Sequence, residues 1–190
     1  MLNKKSKILV ATTLTGSIIG IGAAYTPSLE PAHAAHVKMV HVNTYQQDAV
    51  KKLKMIYHEA FKGQMPFAAE GLKINKSTKK DVHKKLGPPE TVSGGFDYYH
   101  ADMGQPGFAF SYNKNKTISQ IRYFGTNVER KDNLGSITPK VLGKVLGKAD
   151  HIRRVKGTSQ INYIYKTGKY ELEFIVGKDH TVDHVNLKMS

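Results

Sequence analysis

Thr78-Lys79-Lys80-Asp81-Val82-His83-Lys84-Lys85-Leu86-Gly87 and, at an offset of sixty, Thr138-Pro139-Lys140-Val141-Leu142-Gly143-Lys144-Val145-Leu146-Gly147 decide how this chain is read. Both stretches open on a Thr suited to cap a helix and close on a Gly suited to stop one. Asp81 stands in capping-box position to Thr78, and Pro139 suits the first turn of the second stretch. Val82 and Leu86 anchor the first. Val141, Leu142, Val145 and Leu146 supply an apolar face to the second. Gly87 is followed by Pro88 and Pro89, which cannot continue a helix. A recurring supersecondary unit describes how a chain is built.

Aromatic, alternating runs follow each stretch. Phe96–Ala101, Phe108–Tyr112 and Thr117–Phe124 read as three strands after the first helix. Gln160–Lys166, Tyr170–Val176 and Val182–Lys188 read as three after the second, with tight turns at Thr167-Gly168 and Gly177-Lys178-Asp179. The expected fold is α+β: two tandem helix–β-β-β repeats making an antiparallel sheet covered on one face by helices. The repeats occupy residues 46–125 and 137–190, with a polar linker at 126–136. Thr44 to Lys62 reads as a longer amphipathic helix, with Val50, Leu53, Ile56, Tyr57, Ala60 and Phe61 on one face and Gly63 as the stop. Residues 35–45 read as an extended lead.

The first 34 residues read as a secretory signal. Lys4, Lys5 and Lys7 precede an uncharged apolar run from Ile8 to Tyr25, and Ala32-His33-Ala34 offers small residues at the cleavage positions. The expected mature chain starts at Ala35, with no membrane anchor after cleavage. The leader holds three Lys and Glu30, so its removal takes the net charge from +14 to +12. The chain has no Cys. That excludes a disulfide framework, thiol nucleophiles and Cys-bound zinc. The expected location is extracellular, with wall association through charge.

Alternation assigns the sheet faces. Phe108, Phe110, Tyr112, Ile121, Tyr123, Leu172, Phe174, Val176, Val185 and Leu187 are expected under the helices. Tyr99, Arg122, Glu171, Glu173, His184 and Asn186 are expected on the open face, where they make the candidate surface for a protein partner; Lys188 and Ser111 lie there too. The competing surface is the helix side. Lys79, Lys80, Lys84, Lys140, Lys144, Lys148, Arg153 and Arg154 cluster there as a candidate site for nucleic acid or wall polymer, read without sequence preference. A solvated charged face is the plain alternative.

No catalytic motif accompanies these residues. There is no Gly-x-Ser-x-Gly elbow, His-Glu-x-x-His or P-loop. His180 and His184 would share one strand face but stand about 13 Å apart, too far for one metal ion. No metal, cofactor or enzymatic activity is expected. Oligomeric state is not set by any feature of the chain.

The stretch from Ile74 to Pro89 resembles the signature of β-lactamase-inhibitor-protein-like repeats. From about residue 46 to 188 the chain is similar to the YjgB-type family of exported Gram-positive proteins. The matching motifs are Leu86-Gly87-Pro88-Pro89, Tyr98-Tyr99, Phe108-Ala109-Phe110, Ile121-Arg122-Tyr123 and Val182-Asp183-His184-Val185. Leu146-Gly147-Lys148-Ala149 matches with Ala149 in place of Pro. The resemblance implies the fold described above and no particular reaction. The leader and the basic, aromatic-rich strands are also similar to immunodominant staphylococcal antigen B, which implies the nucleic-acid alternative.

Overall fold

A computed structural model describes residues 30–100, 106–126 and 130–190, with side chains from residue 44 onward. Residues 1–29 of the leader lie outside it, as does Ala101. Among the described residues three α-helices are present: α1 (Glu30–Ala60), α2 (Lys79–Leu86) and α3 (Pro139–Leu146). Eight strands form one antiparallel sheet: β1 (Thr91–Ser93), β2 (Phe96–Tyr99), β3 (Gly107–Tyr112), β4 (Ile118–Gly125), β5 (His151–Arg154), β6 (Ile161–Thr167), β7 (Tyr170–Val176) and β8 (Val182–Met189). The strand order is β1-β2-β3-β4-β8-β7-β6-β5. Each short helix therefore feeds a four-strand meander, and the two meanders join where β4 pairs with β8, Tyr123 opposite Val185.

The short helices form as their end residues dictate. Thr78 Oγ1 accepts from the Asp81 N–H, and the Asp81 carboxylate accepts from the Thr78 N–H at 2.7 Å. Thr138 caps α3 by accepting from the Val141 N–H. Gly87 and Gly147 both end their helices at φ +83°. Each meander then anchors an aromatic ring on its helix end. Tyr99 donates to the Gly87 carbonyl at 3.2 Å, and Tyr165 donates to the Gly147 carbonyl at 3.3 Å. Tyr99 meets Phe110 edge-on at 5.8 Å, as Tyr165 meets Phe174 at 5.7 Å. The last strands are tied in matching fashion: the Ile118 N–H donates to Ser77 and the Val182 N–H to Ile137.

One apolar core lies between the helices and one sheet face. Ala49, Leu53, Ile56 and Ala60 form the buried stripe of α1, at the i, i+4, i+7 spacing of a helix face. They share the core with Val82, Leu142, Phe108, Phe110, Tyr123, Leu172, Phe174 and Leu187. Leu86 and Leu146 pack against this core half-buried.

Three expectations need correction. Four strands follow each short helix, not three, because β1 and β5 are also paired. Residues 35–45 are helical, since α1 starts at Glu30 and runs through them. Residues 126–136 are more than a linker. They contain two 3-10 turns, Arg130–Asp132 and Leu134–Ser136, with Leu134 fully buried. These turns pack against α1: Lys52 Nζ donates to the Asp132 carbonyl at 3.0 Å. Asn133 holds the turn inward by bonding the Tyr123 hydroxyl. No helix among the described residues is long and apolar enough to cross a membrane.

Candidate binding surface on the open sheet face

Strand alternation places Phe96 and Tyr98 of β2, Arg122 and Phe124 of β4, and His184, Asn186 and Lys188 of β8 on the sheet face away from the core. β7 adds Glu171 and Glu173, and β6 adds Asn162 and Lys166. Two zones result. Toward β2 the face is aromatic. Tyr98 stacks near Phe124 at 6.2 Å and near His100 at 6.4 Å, and Phe124 lies 5.8 Å from His184. The Arg122 guanidinium sits 4.7 Å over the Phe96 ring and donates from Nε to Asn186 Oδ1 at 2.9 Å. An Arg pinned between a ring and an amide keeps its charge aimed in one direction.

Toward β7 the face is ionic. Glu173 is only 4 % exposed. Arg153 and Lys188 both reach its Oε1, at 3.0 and 2.9 Å, and Asn186 Nδ2 donates to Oε2. Burial pushes the Glu173 carboxyl up, but bonds and charge from Lys188, with Asn162 and Asn186, hold it below the usual range. Glu173 is therefore ionised at neutral pH, and its charge is spent on Arg153 and Lys188. Burial lowers the His184 pKa against the opposing pull of its bond to Asp183, so His184 is a neutral aromatic surface at pH 7. Between the zones lies a depression of about 570 Å³ lined by Arg122, Arg153, Arg154, Lys156, Asn162, Glu173, His184 and Asn186, among others.

The structure sorts the sequence candidates. Arg122, Glu171, Glu173, His184 and Asn186 share the open face as expected, although Glu173 and Asn186 are buried beneath their partners. Tyr99 does not belong there. It is 9 % exposed, on the core side, bonded to Gly87. Its neighbours Phe96 and Tyr98 take the open side because Asp97 is drawn under α2, bonded to Lys79 Nζ and His83 Nε2 at 3.0 Å each. Phe96, Tyr98 and Phe124 join the site without a place among the sequence candidates; Phe124 is readable from its phase with Arg122, whereas Phe96 and Tyr98 depend on the burial of Asp97, which no pattern announces.

The basic candidates also divide. Lys79 is committed to Asp97 and lies 5.4 Å from the Tyr112 ring centre, so it is no free cation. Lys80 and Lys84 are exposed on α2, Lys140 and Lys144 on α3, and Lys148 follows α3 exposed. Arg153 and Arg154 lie on the edge strand β5; alternation puts Arg153 on the open face beside Asn162 and Arg154 at the edge on the other side beside Ile161, and both line the depression. Two lists that the sequence kept apart thus converge there. Among the described residues no three His, Asp or Glu side chains gather in a metal-binding cluster. His180 lies in the turn between β7 and β8, exposed, at φ +59°.

Comparisons with known proteins agree with this architecture. The chain is 50 % identical over 191 residues to the uncharacterised protein YjgB of Bacillus subtilis, covering 99 % of each chain. The crystal structure of YjgB from Bacillus subtilis superposes with a TM-score of 0.74 at 54 % identity, over 76 % of this chain and 99 % of that one. Residues 53–188 match the family model described as domain of unknown function DUF4309, and the chain belongs to that family.

Proposed function

We propose that this protein is an exported, non-enzymatic binding module that recognises a protein partner through its open sheet face. The observation that carries the reading is the half-exposed row of Phe96, Tyr98 and Phe124 beside the pinned Arg122. Aromatic residues and Arg are enriched at protein interfaces: a ring buries large area with few rotors, and an Arg held in place keeps its planar donors pre-organised. A sheet face that no helix among the described residues covers gives them a rigid base.

The module is read as two tandem copies of one unit, in the manner of the β-lactamase-inhibitor-protein-like repeats. Support comes from the paired Thr caps, the paired Gly stops and the two Tyr-to-Gly bonds, Tyr99 to Gly87 and Tyr165 to Gly147. Export rests on the leader pattern of residues 1–34. Intact mass of the protein from culture medium should correspond to a chain starting at Ala35; a full-length chain retained by cells would sink that part.

The partner reading is tested by immobilising residues 35–190 and a Tyr98→Ala/Phe124→Ala variant. Both are offered the extracellular proteins of the producing cells after nuclease treatment, at low and high salt. A partner held by the wild type at high salt and lost from the variant supports the reading. Equal retention by both refutes it. A second reading is favoured by the exposed Lys80, Lys84, Lys85, Lys140, Lys144 and Lys148, none of which forms an ion pair among the described residues. It assigns them a polyanion. Duplex DNA binding should then weaken with salt by a log–log slope of roughly 0.9 per phosphate contact.

A further inference from the structure

The open-face depression is unevenly charged. Arg122, Arg153, Arg154 and Lys156 line it with Glu173 as the acid of the lining, and the Lys188–Glu171 pair lies beside it. Both acids are engaged: Arg153 and Lys188 close on Glu173, and Lys188 also reaches Glu171. Arg122, Arg154 and Lys156 pair with no carboxylate among the described residues. Arg122 is held by neutral groups alone, the Phe96 ring and the Asn186 amide oxygen. Three uncompensated cations therefore line one hollow, Arg122 oriented in advance and Arg154 reaching it from the sheet edge.

A second observation separates the anions that could enter. Asn162 is 4 % exposed and lines the depression, and its Oδ1 has no hydrogen-bond partner among the described residues. A buried carbonyl oxygen of this kind asks for a donor. A phosphodiester linkage offers acceptors only. A peptide backbone offers N–H groups beside acidic side chains. Dimensions point the same way. The hollow runs from Arg154 on β5 to Arg122 on β4, four strand spacings away, which is roughly 19 Å. About six residues of extended peptide span that distance.

We propose that this depression binds an acidic peptide segment in extended conformation, lying across the strands with carboxylates toward Arg122, Arg154 and Lys156 and a backbone N–H toward Asn162. The inference rests on the open-face reading and names the chemistry of its partner.

The test uses the folded mature chain and three probes: an acetylated, amidated hexapeptide alternating glutamate and valine, its glutamine counterpart, and a deoxythymidine hexamer. Backbone amide shifts report the site and the affinity. The acidic peptide should shift amides of β4 to β8 around Arg122 and Asn162, and bind about tenfold tighter than the glutamine peptide at low salt. Arg154→Gln/Lys156→Gln should weaken it by roughly three- to tenfold. Both side chains are exposed, so unchanged far-ultraviolet dichroism should accompany the loss. Equal binding of the glutamine peptide, a footprint on α2 and α3, tighter seating of the deoxythymidine hexamer in the same hollow, or no shift at all would each overturn the inference. The open-face reading has its own readout in the Tyr98→Ala/Phe124→Ala variant. An acidic peptide that fails while that variant still loses its partner removes the inference and leaves the reading standing.

Discussion

Gly87 and Gly147 combine φ +83° with ψ −171° and −164°, a corner of backbone space that is essentially closed to residues with a Cβ. Nothing lies within 4 Å of a Cβ added at either position, so the restriction is purely one of backbone. Ala at either position should cost about 1–3 kcal/mol. Gly143 is the control. It lies inside α3 with equally open space, and Ala there should gain about 0.5–1 kcal/mol. Urea denaturation of the three variants measures this, and a shared sign would disprove the backbone account. Asp97 carries a second expectation. Burial raises its pKa, but bonds from His83 and Lys79 prevail and hold it below 3.8. A carboxyl with a depressed folded pKa stabilises above its unfolded value and loses that contribution as pH falls toward the folded one. Asp97→Asn should therefore cost about 1–3 kcal/mol at neutral pH, with the gap to wild type closing below about pH 4. A gap that widens in acid would contradict the clamp. The same residue explains one failure of the sequence. Alternation cannot tell which of Tyr98 and Tyr99 points inward when the deciding neighbour is an acid, and acids are rarely buried. Here two cationic or hydrogen-bonding side chains from α2 make the exception.

Elements were readable where one face is dry. β3, β4, β7 and β8 alternate between the core and the open face, and α3 buries Val141 and Leu142, so pattern alone located them. β1 and β5 were missed because every residue in both is exposed. They are sheet edges, held by backbone pairing that leaves no hydrophobic period. The 126–136 segment was misread for a related reason. Its tie to α1 runs through a backbone carbonyl of Asp132, and among its described residues the one large apolar anchor is Leu134. One buried apolar side chain beside the polar Thr126 and Asn133 gives no hydrophobic period to detect. Its energetic weight is nonetheless large. Leu134 is fully buried, so Leu134→Ala should cost about 2–5 kcal/mol. Leu86 and Leu146 are equally prominent in the sequence but only half-buried, and their Ala variants should lose less, about 1–2 kcal/mol each. Chemical denaturation of the three variants ranks them. If Leu134→Ala is the mildest, the segment is a linker after all.

At the scale of the molecule, the join between β4 and β8 decides whether the two meanders act separately or together. A chain of two stacked units can unfold in two steps when each closes its own core. Here the cores are not separate. Val185 of β8 is fully buried opposite Tyr123 of β4, and Tyr123 in turn bonds Asn133 of the segment that α1 covers. α1 itself lays Leu53 and Ile56 on a core that holds Phe108 and Phe110 from the first meander and Leu172 and Phe174 from the second. With one core shared by both meanders, neither can melt without exposing apolar surface of the other. The expected behaviour is a single transition, with tyrosine near-ultraviolet dichroism and far-ultraviolet dichroism falling together. Val185→Ala, at the join, should lower that transition by the equivalent of about 2–4 kcal/mol and leave it single. The sharper test is site-resolved. Hydrogen exchange at the Tyr99-to-Phe110 end and at the Tyr165-to-Phe174 end should slow to the same global limit, and Val185→Ala should lower both by the same amount, because both ends belong to one core. Two transitions, or a variant that loosens only the β5–β8 end, would mean that each meander keeps its own core and that α1 merely bridges them.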